Sequence, residues 1–140
     1  MRILLIDSDL DSVDQIKPEI DRHYIVDVAY NGSEGTYLSQ VNDYAAIIIE
    51  SALPDIESRE VCRITRSAKV KSPILMLLEE EDIDYKISSL DCGADAFLTK
   101  PINKRELLAY IRAFAKRNSD NASLSKLVVA DLSLDMKTRV

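Results

Sequence analysis

Five short apolar runs recur along the chain at similar spacing, at residues 2–6, 24–29, 45–50, 73–78 and 94–99. Two of them, Ile3-Leu4-Leu5-Ile6 and Ile47-Ile48-Ile49, are continuous and do not alternate with polar residues. A strand with apolar side chains on both faces belongs in a parallel sheet covered on both sides. Between the runs the period changes. Leu10, Val13, Ile16 and Ile20 fall on one helical stripe, and Val61, Ile64, Thr65 and Ala68 on another. Ile83, Ile87 and Leu90 mark a later stripe, and Leu107, Leu108, Ile111 and Phe114 the last. Asn103 followed by Glu106 is a capping box opening that last helix. Residues 32–41 carry the weakest helical pattern, because Gly35 and Thr36 interrupt it. Strand and helix alternating five times predict an α/β doubly wound, five-stranded parallel sheet with right-handed crossovers.

Past Lys116 the character of the chain changes. Residues 118–124 read as a linker, and 127–135 offer two short strand-like pieces. The sixteen residues 125–140 cannot bury a core of their own. The expected organisation is therefore a domain over 1–117, a linker over 118–124, and the start of a second, truncated domain over 125–140.

The 140 residues are 46% hydrophobic and 30% charged, which suits one soluble domain with a sizeable core. No apolar run approaches the roughly 18 residues of a membrane span, and no signal peptide opens the chain, so a cytoplasmic protein without membrane contact is expected. A net charge of -6 argues against nucleic-acid binding by these residues themselves. Cys62 and Cys92 form neither a disulfide framework nor a zinc set, and His23 has no catalytic partner nearby in sequence.

In an open parallel sheet, ligands bind beyond the carboxyl ends of the strands. Those ends carry Asp7-Ser8-Asp9 after the first strand, Glu50 after the third, Leu78 after the fourth, and Thr99-Lys100-Pro101 after the fifth. Three carboxylates and one ammonium should share a rim.

These residues carry a resemblance. The opening 3–9, the stretch 44–56 with Leu53-Pro54-Asp55, and above all Gly93-Ala94-Asp95-Ala96-Phe97-Leu98-Thr99-Lys100-Pro101 are similar to the receiver domains of bacterial response regulators, over residues 1 to about 117. The tail from Leu127 resembles the opening strands of an OmpR/PhoB-type winged-helix effector domain. The resemblance implies a flavodoxin-like fold of strand order 2-1-3-4-5 and a cis Lys100–Pro101 bond. It also implies phosphorylation of an aspartate at the end of strand three, with Mg²⁺ held there and by an acid after strand one.

This chain departs from that pattern at each chemical position. Glu50 occupies the phosphoacceptor position, one methylene and ~1.5 Å too long for in-line transfer. Ser8 stands where the family has a metal-binding acid, which weakens any ion site. Leu78 replaces the hydroxyl that senses the phosphoryl group, and Phe97 stands at the aromatic switch position without a phenol. Asp7, Asp9 and Glu50 could still hold a weak Mg²⁺, but no cofactor is expected. Lys100 is expected to pair directly with Glu50, substituting for a lysine–phosphoaspartate contact.

The reading is thus an atypical receiver of two-component signal transduction, outside the usual phosphorelay, with no enzymatic activity. Its expected role is phosphorylation-independent dimerisation of a transcriptional regulator. The resemblance implies a homodimer through the fourth helix, fifth strand and fifth helix, with Ile87, Leu90 and Ala109 as the apolar patch. Lys86, Asp95, Glu106 and Arg112 would lie at or beside its charged positions. DNA contact would come from the missing C-terminal domain, and a cognate kinase becomes dispensable. Two alternatives stand beside this reading. Asp7-Ser8-Asp9 also resembles the Asp-x-Asp opening of haloacid-dehalogenase-type phosphatases, with Asp7 as nucleophile and Asp9 as acid, though without the following Gly-Thr. A receiver that still accepts a phosphoryl group is the other.

Overall fold

Ile47, Ile48 and Ile49 have no accessible side to turn toward water, so the sheet that holds them must be covered twice. The computed structural model describes residues 1–129, the side chains of 1–117, and meets that demand. Strands β1 (Arg2–Ile6), β2 (Ile25–Ala29), β3 (Ala46–Glu50), β4 (Ile74–Leu78) and β5 (Ala96–Thr99) alternate with α1 (Leu10–Asp21), α2 (Gly32–Val41), α3 (Ser58–Ser67), α4 (Ile83–Cys92) and α5 (Lys104–Val129). All neighbouring strands run parallel, in the order β2-β1-β3-β4-β5. Ile3, Leu5, Ile48, Leu75 and Leu77 point to one face, where Val13, Ile16 and Ile20 of α1 and Leu107, Ile111 and Phe114 of α5 cover them. Leu4, Ile6, Ile47, Ile49, Ile74 and Met76 point to the other, beneath Val61 and Cys62 of α3, with Leu38, Tyr85 and Cys92 packed alongside. Each such fully buried side chain contributes about 1.5–3 kcal/mol against the entropy of ordering the chain.

The caps follow the sequence signals. Asp9 accepts from the amides of Asp11 and Ser12 at the start of α1, and Asn31 from Glu34 at the start of α2. Asn103 accepts from the Glu106 amide at 3.0 Å. The Leu-Pro-Asp motif adds a second cap to α2: Asp55 accepts from the amides of Gly32 and Ser33 at 2.7 and 3.0 Å. Those two bonds at a positive helix end hold the Asp55 carboxyl below its ordinary range. Gly35, which weakened the helical pattern, allows α2 to lie directly on β1. A Cβ there would stand 2.4 Å from Ile6 Cδ1 and 2.8 Å from Cγ1.

Several expectations change. Leu10 opens its stripe in solvent, at 63% exposure, while Val13, Ile16 and Ile20 are buried. In α3 Val61 and Thr65 are buried as expected, joined by Ser58 and Cys62, while Ile64 is half-buried and Ala68 is exposed beyond the last turn. The stripe of α4 faces outward, with Ile83, Ile87 and Leu90 at 67%, 54% and 50% exposure, so Ile87 and Leu90 stand on the surface as their place in the expected patch requires. Tyr85, Ser89 and Cys92 take the inner side, Tyr85 and Cys92 packing against the apolar cluster that includes Val61 and Cys62 of α3. Residues 118–124, expected as a linker, continue α5, which runs to Val129. They contain neither Gly nor Pro to stop a helix that is already nucleated. The strand-like reading of 127–129 is replaced by that helix, while the rest of the expected second domain, 130–140, lies outside the described residues.

The C-terminus of α4 closes on Gly93, whose φ of 118° L side chains rarely adopt and whose Cβ would meet Arg66 Cγ at 2.5 Å. Arg66 cannot easily retreat, since its guanidinium binds the carbonyls of Val70, Ser72 and Gly93 and the Asp95 carboxylate. We predict that Gly93→Ala costs about 1–3 kcal/mol. A lower urea midpoint with an unchanged slope would register it, and an unaltered midpoint would contradict this packing.

Candidate functional site

Strands β1 and β3 are neighbours, so the residues that end them meet at one edge of the sheet, and the bend after β5 closes over that edge. Asp7 and Glu50 are buried there, at 0% and 2% exposure. Two hydroxyl bonds fix the backbone at Glu50: Ser58 Oγ donates to the carbonyls of Glu50 and Ser51 at 2.7 and 2.9 Å. Lys100 is fixed by its amide, which donates to the Leu78 carbonyl at 2.8 Å, and its bond to Pro101 is cis.

Lys100 Nζ lies 2.7 Å from Glu50 Oε1, the pairing expected from the sequence. That ammonium is the counter-ion of a carboxylate oxygen with almost no access to water. The same ammonium donates to Glu79 Oε2, at 2.8 Å. Burial pushes the Glu50 carboxyl up from its ordinary value, Lys100 pulls it back, and the neighbouring Asp7 adds to the rise. Burial alone would lower Lys100, but Glu50 and Glu79 together outweigh it and push the ammonium up to about 12. Glu79, largely exposed, is held below its ordinary value by the same lysine.

Asp7 Oδ1 accepts from the Asp9 amide at 3.0 Å and Oδ2 from Ser12 Oγ at 2.6 Å. Asp9 is exposed and turned to the cap of α1, and Ser8 is half-buried. The family-type Mg²⁺ therefore fits these side chains poorly. Both Asp7 oxygens are engaged, position 8 offers a neutral hydroxyl, and Glu50 faces an ammonium. Among the described residues no group of three or more His, Cys, Asp or Glu side chains is spaced to hold a metal ion. The phosphatase reading loses support at the same place, since a nucleophile at Asp7 would have no accessible surface.

Leu78 is 2% exposed and Phe97 half-buried against the same apolar cluster. Of the surface residues predicted on α4, β5 and α5, Ile87, Leu90, Ala109, Glu106 and Arg112 are exposed together. Lys86 sits 6.0 Å from the Phe97 ring centroid and pairs with Glu81. Asp95, also exposed, pairs with Arg66 at 2.9 Å and accepts from the Ile74 amide at 2.8 Å. A cleft of about 600 Å³ lies along α5 between Asn103, Leu108 and Arg112.

Four residues escaped the sequence reading: Ser12, Ser58, Glu79 and Glu81. Ser12 and Ser58 carry only the generic signal of a hydroxyl near a helix start. The run Glu79-Glu80-Glu81, directly after a buried strand, was a usable sign that acids would reach the rim.

Comparison with known proteins places this site in context. Residues 3–112 match the response regulator receiver domain model. Over 140 residues the chain is 33% identical to the probable transcriptional regulatory protein SilR of Salmonella typhimurium, with 99% of this chain and 61% of that protein aligned. It is 39% identical over 144 residues to the cell cycle response regulator CtrA of Brucella abortus (strain S19), covering 99% and 60%. The chain thus spans about three fifths of the length of these relatives. Among solved structures, the receiver domain of the Francisella response regulator 1452 superposes with a TM-score of 0.79 at 27% identity, over 84% of this chain and 98% of that one. A CheY-like receiver from Methanospirillum hungatei JF-1 superposes equally well, at 26% identity over 85% and 96%.

The buried pair makes a signed pH prediction. The folded Glu50 binds its proton more tightly than the unfolded chain does, so its ionisation at neutral pH disfavours the fold, and Lys100 offsets that cost. In Lys100→Met the carboxylate loses its counter-ion. The expected loss is about 2–4 kcal/mol at neutral pH, below the range for fully buried pairs because Lys100 is partly exposed. That deficit should shrink as pH falls toward the ordinary value of 4.5. Wild type alone should lose a stability increment as pH rises from 10.5 toward about 12, where Lys100 deprotonates. Denaturant melts across pH would test both limbs; a pH-independent deficit would contradict the pairing.

Proposed function

The chain belongs to the response regulator receiver family, and we propose that it is an atypical receiver, one that dimerises a transcriptional regulator without taking a phosphoryl group. The observation that carries this reading is the Lys100–Glu50 contact of 2.7 Å on a carboxylate with 2% exposure. In the family, this lysine meets the phosphorylated aspartate. Here a permanent carboxylate supplies negative charge at that place, and its longer arm brings it to the ammonium. Phosphoryl transfer needs an accessible, in-line oxygen and compensation of the developing charge. Glu50 offers neither, being buried and already paired, and the donor set at positions 7 and 8 suits Mg²⁺ poorly. Leu78 completes the argument, since an apolar side chain packed near Phe97 holds that ring without a hydroxyl contact to any phosphate.

The output would be the apolar patch of Ile87, Leu90 and Ala109, with Glu106 and Arg112 at its edge. Among the described residues, Glu106 and Arg112 form no ion pair, which leaves both for a second copy. Lys86 would have to exchange its Glu81 contact to pair across the interface. Surface pairs of this kind contribute about 0–1 kcal/mol each, so burial of the exposed apolar stripe would dominate. The relatives named as transcriptional regulatory proteins support a DNA-binding effector domain, which the net charge of -6 does not provide here.

The reading is tested by treating the chain with acetyl phosphate and Mg²⁺ and measuring intact mass and sedimentation. The expected result is no adduct and an unchanged dimer fraction, whereas Ile87→Arg weakens the dimer by tenfold or more, about 1.4 kcal/mol. The triple variant Ser8→Asp, Glu50→Asp, Leu78→Thr should regain a phosphoryl adduct. A stable adduct on the unaltered chain would overturn the proposal.

A further inference from the structure

The connection between β4 and α4 is only four residues, 79–82, and its acids fasten it to β5 at two successive positions. Glu79 Oε2 accepts from Lys100 Nζ at 2.8 Å, and Glu81 Oε1 accepts from Thr99 Oγ1 at 2.9 Å. Glu81 also takes the Lys86 ammonium, on the first turn of α4. Asp82, the next residue, caps α4 by accepting from the Tyr85 amide at 3.1 Å. The connection therefore passes without slack from the buried carboxylate rim into the helix that carries the exposed apolar stripe.

Lys100 bridges two carboxylates, its Nζ lying 2.7 Å from the buried Glu50 Oε1 and 2.8 Å from the exposed Glu79 Oε2. One ammonium thus serves a carboxylate that ends β3 and a carboxylate that opens the connection, and losing either partner leaves it to the other.

We propose that residues 79–82 form a two-point acid latch, in which Glu79 and Glu81 are positioning residues that couple the placement of Lys100 to the placement of the α4 N-terminus. Regulation of the dimer face by this latch rests on the function proposed above; the latch itself does not. The inner face of α4 suits such a device. Beside the apolar packing of Tyr85 and Cys92, it carries polar contacts near its start: Tyr85 Oη donates to Glu57 at 2.9 Å, and Arg59 Nη1 donates to Ser88 Oγ at 2.8 Å while its guanidinium covers the Tyr85 ring at 4.5 Å. Polar contacts of this kind can exchange with water during a small shift, whereas an interdigitated apolar seam cannot.

The test uses the whole chain and amide hydrogen exchange, with Glu79→Gln, Glu81→Gln, the double variant, and Glu80→Gln as control. Glu80 lies in the same connection and forms no ion pair among the described residues. Glu79→Gln and Glu81→Gln should each raise exchange at 79–86 by up to about fivefold, and the double variant by more, with β1 and β3 unchanged. Wild type in about 0.5 M NaCl should move in the same direction, because the exposed Glu79 is screened and the buried Glu50 much less. Glu79→Gln should also lower the titration midpoint of the Glu50 carboxyl as Lys100 turns fully onto it, while Glu80→Gln, losing the same charge, should not. Unchanged exchange in the double variant, or equal midpoint shifts in Glu79→Gln and Glu80→Gln, would overturn the latch. A chain that is monomeric throughout would sink the dimerisation reading while leaving the exchange result to decide the latch on its own.

Discussion

A carboxylate that cannot reach water must find a cation, and the organisation of this domain's active edge follows from that requirement. Glu50 stands at the end of the central strand, where covering both faces of the sheet has removed nearly all solvent. An isolated charge there would be strongly disfavoured, by several kcal/mol even after relaxation. Lys100 arrives from the far end of the sequence because the strand order puts β3 between β1 and β4, with β5 beside β4. The ammonium is thus a product of topology as much as of sequence, and Glu79 takes its place at the rim from it.

The helix α4 is held differently from the others. Its N-terminus is tied to charged groups at the rim, through Glu81 and Lys86, and its C-terminus ends on a glycine braced by Arg66. Between these points it meets the α3 side through hydroxyls, a phenol and a guanidinium as well as the apolar packing of Tyr85 and Cys92. Its most apolar side chains remain outside. A helix fastened at its ends by polar contacts and carrying an uncovered apolar stripe is suited to move as a unit and to be covered by another surface. Arg66 and Asp95 restrict that freedom on the opposite side of the domain by joining α3, the start of β4 and the approach to β5. Movement would therefore be largest at the rim end, where ion pairs are exposed and exchangeable.

Membership of the receiver family gives the site its frame, and the departures within it give the site its character. Glu50, Ser8, Leu78 and Phe97 sit within an undisturbed receiver fold, the last two packed against one apolar cluster. At the rim the result is a buried carboxylate, Glu50, 2.7 Å from the Lys100 ammonium.

The strands, their parallel order by analogy, and the doubly covered core were legible in the chain because continuous apolar runs admit few other burials. The rim residues Asp7, Glu50 and Lys100 were legible for the same reason, since strand ends in a parallel sheet converge. The helical period of Ile83, Ile87 and Leu90 says only that they share a side, and the packing of Tyr85, Ser89 and Cys92 turns that side outward. Exposure of Ile87 and Leu90 followed from the family resemblance and not from the period. Neither assigned Lys100 to Glu79 or Asp95 to Arg66. Periodicity reports which residues share a side of an element; only the assembled layers decide which side is inside, and long charged side chains choose partners by distances that exist after the layers have closed.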